Sequence, residues 1–198
     1  MDVIFDLGGV LLTWDPPVML SSVFGDPRER ARVLDRLFGD PDWIELDRGT
    51  LPVAKAIERA AQRTGISADR LRTLFDVMPS WLVPVPAAIE LVRALRAAGN
   101  RLFVLSNMQR ATLAHIETAY DFLALFDGRV FSCEVGECKP EPAIYRRLLD
   151  TFALDPGATV FIDDHQANLD AAAAFGIATI RFETVEGCRA ELEALGCL

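Results

Sequence analysis

The chain begins with a short apolar run that one acidic residue interrupts. Residues 3–5 are apolar, Asp6 follows them, and Gly8-Gly9 come after one further apolar residue, Leu7. Strands buried on both faces read as continuous apolar runs, and an acid is costly within such a run unless it lies at the strand's end with partners. The pattern therefore predicts a strand that ends at Asp6, where the two glycines let the backbone approach a bound group closely. An aspartate that merely caps a turn is the alternative interpretation.

The next stretch, residues 15–83, has helical periodicity and no convincing strand. Apolar positions recur at helical spacing over 28–38, 53–65 and 67–78, as expected for helices that bury one face. Thr50 is a suitable N-cap for the second of these helices. The pattern predicts a bundle of three or four short helices.

From Pro86 onward, helices and strands alternate. The predicted strands are 102–105, 130–132, 160–162 and 177–182, and the predicted helices are 86–99, 109–120, 142–152, 167–175 and 185–195. Such alternation predicts a parallel sheet with helices on both faces. Residues 1–14 and 84–198 would form this α/β core. Residues 15–83 would be a helical cap inserted after the first strand.

Composition and charge restrict the function classes. The 198 residues are 51% hydrophobic and carry a net charge of -9, which argues against binding to nucleic acid or an anionic membrane surface. Four cysteines without a CxxC spacing and only two histidines disfavour a zinc site. No signal peptide or membrane-length apolar run is visible, so we expect a cytoplasmic protein. The oligomeric state stays open.

Polar residues stand at the ends of three predicted core strands. The strands end in Asp6, in Ser106-Asn107 and in Asp163-Asp164, and Lys139 precedes a predicted helix. Because the carboxyl ends of parallel strands lie at one edge of a sheet, these groups can converge there.

The set makes chemical sense as a phosphoryl-transfer site. Asp6 would be a carboxylate nucleophile that forms an aspartyl-phosphate. A second acid nearby would repel it unless a cation lies between them, and Mg²⁺ prefers such oxygen ligands. Asp6, Asp164 and the Gly8 carbonyl would supply the protein's share of these ligands.

The remaining residues would hold the transferred group. Ser106 and the Asn107 backbone N–H would bind phosphoryl oxygens, and Lys139 would neutralise charge. Taken singly, Ser106-Asn107 and Asp163-Asp164 are also compatible with helix caps, and Lys139 with a solvated lysine.

Four motifs together resemble those of the haloacid dehalogenase-like (HAD) hydrolases. They are Phe5-Asp6-Leu7-Gly8-Gly9-Val10, Leu105-Ser106-Asn107, Lys139-Pro140-Glu141-Pro142-Ala143-Ile144-Tyr145 and Phe161-Ile162-Asp163-Asp164-His165-Gln166-Ala167-Asn168. The nearest subgroup looks like the small-molecule phosphatases that include α-glucose-1-phosphate phosphatase and the phosphatase domain of bifunctional epoxide hydrolases. The position and size of the predicted cap also match this family.

The resemblance implies a Rossmann-like, doubly wound core and Mg²⁺-dependent hydrolysis of a small phosphorylated metabolite. It assigns Asp6 as nucleophile, with Ser106 and Lys139 on the phosphate and Gly8-Gly9 close to it. Asp164 would bind the metal, and Asp163 would be a further metal carboxylate or a support behind it. Asn168 would orient that loop.

One position departs from the family's usual pattern. Related phosphatases carry a second Asp two residues after the nucleophile, as the general acid for the leaving group, and this chain has Gly8 there. General acid–base help is typically worth ~10²–10⁴-fold in rate. The departure predicts slow hydrolysis of poor leaving groups unless another group supplies the proton.

Two alternatives to a phosphatase stay open. One is a metal-independent 2-haloacid dehalogenase, which the acidic pair Asp163-Asp164 disfavours because it would repel an anionic substrate. The other is a catalytically weak HAD-like protein with a binding or regulatory role, which Gly8 alone supports.

Substrate specificity would lie in the cap. The residues expected to face the site are Trp14, Trp43, Asp47 and Arg48. The competing interpretation places Trp43 in the core of the cap and Arg48 in a surface ion pair.

Overall fold

The computed structural model describes all residues from Met1 to Leu198. Five strands form one parallel sheet in the order β3-β2-β1-β4-β5. The strands are β1 (Asp2–Phe5), β2 (Arg101–Ser106), β3 (Gly128–Phe131), β4 (Thr159–Asp163) and β5 (Ala178–Arg181). The strand order changes direction between β1 and β4, and ligands of open α/β sheets bind at such a switch point.

Eleven α-helices surround the sheet or form the cap. They are α1 (Pro16–Val23), α2 (Pro27–Val33), α3 (Pro41–Arg48), α4 (Val53–Thr64), α5 (Ala68–Val77), α6 (Pro86–Ala97), α7 (Arg110–Ala119), α8 (Ser132–Val135), α9 (Pro142–Phe152), α10 (Gln166–Ala173) and α11 (Val185–Ala194). A π-helical turn, Leu34–Phe38, continues α2, and short 3₁₀ turns occupy Met78–Trp81, Phe122–Leu125 and Pro156–Ala158. None of these helices combines the length and the apolar character needed to span a bilayer.

Both faces of the sheet are buried, because successive strand side chains point to opposite sides. Val3 and Phe5 belong to a hydrophobic cluster that includes residues of α6, α7 and α11. Ile4 belongs to a second cluster, which includes residues of α9 and α10. This three-layer arrangement confirms the predicted doubly wound α/β core.

The helical block between β1 and α6 has a hydrophobic core of its own. That cluster draws its buried residues from Met19 to Met78. The chain leaving the sheet pairs with the chain returning to it, since Thr13 N donates to Val83 O at 2.9 Å and Val85 N donates to Leu11 O at 2.8 Å.

The block contains more helices than predicted. α1 and α3 are short helices of eight residues each, and their apolar spacing is too brief to be read from the sequence. Asp15 and Asp40 cap them, and each begins at a proline. The N-cap assigned to Thr50 is wrong: α4 begins at Val53, and Thr50 Oγ1 instead donates to the Glu45 backbone oxygen at 3.2 Å.

Candidate active site

The polar residues at the strand ends meet around one buried lysine. Lys139 Nζ lies 2.9 Å from Asp6 Oδ2 and 2.6 Å from Asp163 Oδ2. Lys139 is 2% exposed and Asp6 is 7% exposed. A lysine this deeply buried has lost its hydration, so the solvated-lysine interpretation is wrong and the two carboxylates replace the missing water.

Asp163 is fully occupied by hydrogen bonds. Its Oδ1 accepts from His165 N at 2.8 Å and from Asn168 Nδ2 at 3.1 Å. Its Oδ2 accepts from Lys139 Nζ and, at 3.0 Å, from Asn168 Nδ2. The geometry therefore favours Asp163 as the group that holds Lys139 in place, with Asn168 orienting its carboxylate, over a direct role as metal ligand.

Burial and charge act in opposite directions on this pair. Burial raises the pKa of Asp6 to about 6, although the Lys139 ammonium lowers it and the Asp163 carboxylate adds to the rise. Burial alone would lower the pKa of Lys139, but Asp6 and Asp163 outweigh it and hold that pKa above its ordinary value. The lysine is therefore charged at neutral pH.

The chain offers an oxygen-lined position that suits Mg²⁺. Asp6, Asp163 and Asp164 each present a carboxylate oxygen, and these three oxygens lie within 4.8 Å of one another. Asp164 Oδ1 is buried and has no hydrogen-bond partner, which is unusual for a buried polar atom unless a ligand completes it. Burial raises the pKa of Asp164 as well, and the neighbouring Asp163 carboxylate adds to the rise.

Gly9 supports this position sterically. Its φ of 76°, and a distance of 2.5 Å from an ideally placed Cβ to Asp164 Oδ2, exclude a side chain there. Its N–H donates to Leu12 O at 2.9 Å and is therefore not free to donate to a phosphate oxygen. Gly8 does line the site cavity.

Ser106 and Asn107 differ in their contacts. Ser106 is 1% exposed and lies beside Asp6. Asn107 Nδ2 donates to Lys139 O at 2.9 Å, and Asn107 Oδ1 accepts from Lys139 N at 2.8 Å. The side chain of Asn107 thus fixes the loop that carries the lysine, a role that the strand-end argument does not reveal.

A cavity of about 400 Å³ separates these residues from the cap. Its floor is polar and includes Asp6, Ser106, Asn107 and Lys139. Its cap side is apolar apart from Asp47 and includes Trp14, Phe38, Trp43, Ile44, Met78 and Leu82. The ring centroids of Phe38 and Trp43 are 4.3 Å apart, and those of Trp14 and Trp43 are 6.3 Å apart. Trp14 and Trp43 therefore face the site as predicted, although both also pack against the core of the cap.

The two charged residues predicted to face the site are placed differently. Asp47 lines the cavity. Arg48 does not: its guanidinium donates to both carboxylate oxygens of Glu141, at 2.6 and 2.9 Å. The expectation that Arg48 contacts substrate is wrong, and the ion-pair interpretation is correct, because this bidentate contact joins the cap to the core.

Sequence reasoning missed several residues of the cavity wall. Met108, Gln109 and Thr112 line it from the loop after β2 and from α7, and His165 lines it from the segment after β4, close to the predicted Asn168. Residues directly behind strand ends are the expected place for such groups. The motif around Asp163 did draw attention to Asn168, but nothing in the pattern singled out Gln109.

Comparison with known proteins places the chain in a family. Over 195 residues it is 24% identical to the sesquiterpene phosphatase astK of Aspergillus oryzae, which covers 98% of this chain and 96% of that protein. Its fold matches the HAD family enzyme BT-2542 of Bacteroides thetaiotaomicron, solved with magnesium and inorganic phosphate (TM-score 0.70, 22% identity, 92% of this chain and 93% of that one). It also matches the L-2-haloacid dehalogenase of Xanthobacter autotrophicus (TM-score 0.68, 18% identity, 98% and 82%). Residues 3–176 match the model of the haloacid dehalogenase-like hydrolases, and the chain belongs to that family.

Proposed function

We propose that this protein is a Mg²⁺-dependent phosphatase of small phosphorylated molecules and that Asp6 is its nucleophile. The observation that carries the proposal is the buried Lys139, held between Asp6 and Asp163 beside the unpartnered oxygen of Asp164. The fixed cation suits a phosphoryl group, which brings negative charge on several oxygens. The free carboxylate oxygen suits the Mg²⁺ that would accompany that group. The likeness to a phosphatase along nearly the whole chain supports the same conclusion.

Each residue then has a defined task. The Asp6 carboxylate attacks phosphorus, and water later hydrolyses the aspartyl-phosphate. Lys139 keeps Asp6 oriented and offsets charge on the phosphoryl oxygens, which Ser106 and the Asn107 N–H also bind. Mg²⁺, held by Asp6, Asp164 and the Gly8 carbonyl, would supply further charge neutralisation when bound.

The cavity favours an apolar organic group on the substrate. Trp14, Phe38 and Trp43 enclose its cap side, and burying apolar surface there contributes roughly 25 cal/mol per Å². A sugar would leave its hydroxyls facing these rings without hydrogen bonds. We therefore expect alkyl or aryl phosphates to be hydrolysed with a higher kcat/KM than sugar phosphates.

The test is phosphate release from p-nitrophenyl phosphate with Mg²⁺ and with EDTA. The proposal predicts Mg²⁺-dependent turnover that Asp6→Asn abolishes while circular dichroism shows an intact fold. Chloride release from 2-chloropropionate in EDTA would instead identify a dehalogenase. Failure to turn over either substrate or a panel of alkyl and sugar phosphates would favour a binding or regulatory protein and contradict the proposal.

A further inference from the structure

The phosphatase reaction needs a proton for its leaving group, and Gly8 has no side chain to supply one. We propose that Asp47, which reaches the cavity from the cap, donates this proton to the leaving-group oxygen. This inference rests on the proposed phosphatase function. Asp47 would perform the task that related phosphatases give to an aspartate two residues after the nucleophile.

Asp47 is held in place by the core although it belongs to the cap. It lies near the end of α3 and lines the same cavity as Asp6 and Gly8. Its backbone oxygen accepts a hydrogen bond from Ser132 Oγ at 2.6 Å, and Ser132 Oγ accepts one from Met108 N at 2.8 Å. The position of the Asp47 backbone is therefore fixed relative to the strand ends.

The contacts on either side of Asp47 strengthen this placement. An ideally placed Cβ on Gly49 would lie 2.9 Å from Cys133 O, so the turn after α3 rests directly on α8. The pairing of Arg48 with Glu141 fastens the same turn to the loop that carries Lys139. A carboxyl group on so well fastened a turn is suited to act at a defined atom.

A second polar group beside Asp47 indicates that a ligand belongs there. Gln109 is 7% exposed and lines the cavity, and its Nε2 is buried without a hydrogen-bond partner. Its amide lies close enough to Asp47 to influence the carboxyl group. No acceptor lies at hydrogen-bonding geometry to Nε2, so a substrate oxygen in the cavity would complete the hydrogen bonding of this amide.

The surroundings of Asp47 favour its protonated form. Burial raises the pKa of Asp47 to about 7; the amide of Gln109 and the charge of Lys139 lower it, and the charge of Asp6 raises it. The other titratable groups that interact with it are the buried thiols of Cys133 and Cys138. A carboxyl that holds its proton near neutral pH can give it up to an alkoxide, as general acids do.

The proposed steps balance. Asp6 forms a bond to phosphorus while the bond from phosphorus to the leaving oxygen breaks, and the proton of Asp47 moves to that oxygen. Water then attacks the aspartyl-phosphate, and Asp47 takes a proton from the water as the bond from Asp6 to phosphorus breaks. The products are the alcohol and inorganic phosphate, and both carboxyl groups return to their starting states.

Comparing leaving groups separates proton donation from a merely structural role. Asp47→Asn should lower kcat/KM for hexyl phosphate by roughly 100-fold, the size expected for a lost general acid. It should leave kcat/KM for p-nitrophenyl phosphate almost unchanged, because p-nitrophenolate departs without a proton. Asp76→Asn, an exposed substitution elsewhere in the cap, is the matched control and should affect neither substrate.

A rescue variant gives a second test. The Cβ of residue 8 would meet nothing closer than Trp14 Cβ at 3.8 Å, so the backbone at this position has room for a side chain to begin. Gly8→Asp combined with Asp47→Asn should restore the hydrolysis of hexyl phosphate. Equal losses on both substrates, no loss on hexyl phosphate, or no rescue in a folded double variant would overturn the assignment. If the wild-type protein hydrolyses no phosphate ester, the proposed function itself fails, which is a different result.

Discussion

The contact between Lys139 and its two acids makes a strong prediction about folding. Lys139→Met keeps an apolar stem of similar length but removes the charge that lies 2.9 Å from Asp6 and 2.6 Å from Asp163. Removing one partner of a buried ion pair typically costs about 3–5 kcal/mol, because the remaining charge is left without compensation. Since both acids lose their partner here, we expect a loss of unfolding free energy of that size at slightly alkaline pH.

The same variant should show a characteristic dependence on pH. Burial already raises the pKa of Asp6 to about 6, and without the ammonium group this pKa rises further. The folded state then keeps a proton that the unfolded chain releases. The free energy of unfolding therefore falls as pH rises above the ordinary Asp pKa of ~4, by up to about 1.4 kcal/mol per pH unit. The loss caused by Lys139→Met should consequently be smaller at about pH 5.5 than at about pH 8.

Urea unfolding at these two pH values measures the effect. Lys55→Met is the matched control, because the other lysine of the chain makes an exposed pair with Glu58 at 2.8 Å. That pair should contribute no more than about 1 kcal/mol. A loss for Lys139→Met no larger than that of the control, or one that is identical at both pH values, would refute the reasoning.

Two further variants separate the metal site from the contact between cap and core. Mg²⁺ at 100 times its dissociation constant should stabilise the wild-type protein by about 2.7 kcal/mol, and Asp164→Asn should remove this gain in a thermal-shift assay. Because burial raises the pKa of Asp164, protons compete with the metal for this carboxylate, and the stabilisation by Mg²⁺ should become smaller towards acidic pH. If Mg²⁺ stabilises Asp164→Asn as much as the wild-type protein, the assignment of Asp164 as a metal ligand is contradicted. Arg48→Met breaks the ion pair with Glu141 that fastens the turn carrying Asp47, so steady-state kinetics with hexyl phosphate should show a lowered kcat together with a raised KM; an unchanged kcat would contradict this.

The sequence was sufficient to predict the core and the meeting of its strand ends. Apolar runs followed at once by Asp6, Ser106 and Asp163 identify the carboxyl ends of β1, β2 and β4, and parallel pairing brings such ends to one edge. Lys139 also reaches this edge, but its burial between two acids depends on tertiary packing that no local pattern encodes.

The cap was less predictable for a physical reason. Its short helices bury few residues each, so periodicity is weak, and their orientation follows from contacts with the core. Those contacts decide that Asp47 lines the cavity while the adjacent Arg48 turns towards Glu141. The unpartnered amide of Gln109 is likewise visible only once the cavity is known.

Trapping the covalent intermediate tests the central claim most directly. The protein is acid-quenched during the hydrolysis of a phosphate ester with Mg²⁺, reduced with borohydride, and digested for mass spectrometry. If Asp6 carries the phosphoryl group, reduction converts it to homoserine at position 6, and only in samples that contained substrate. Turnover without any modification at Asp6, or modification at another carboxyl group, would contradict the account.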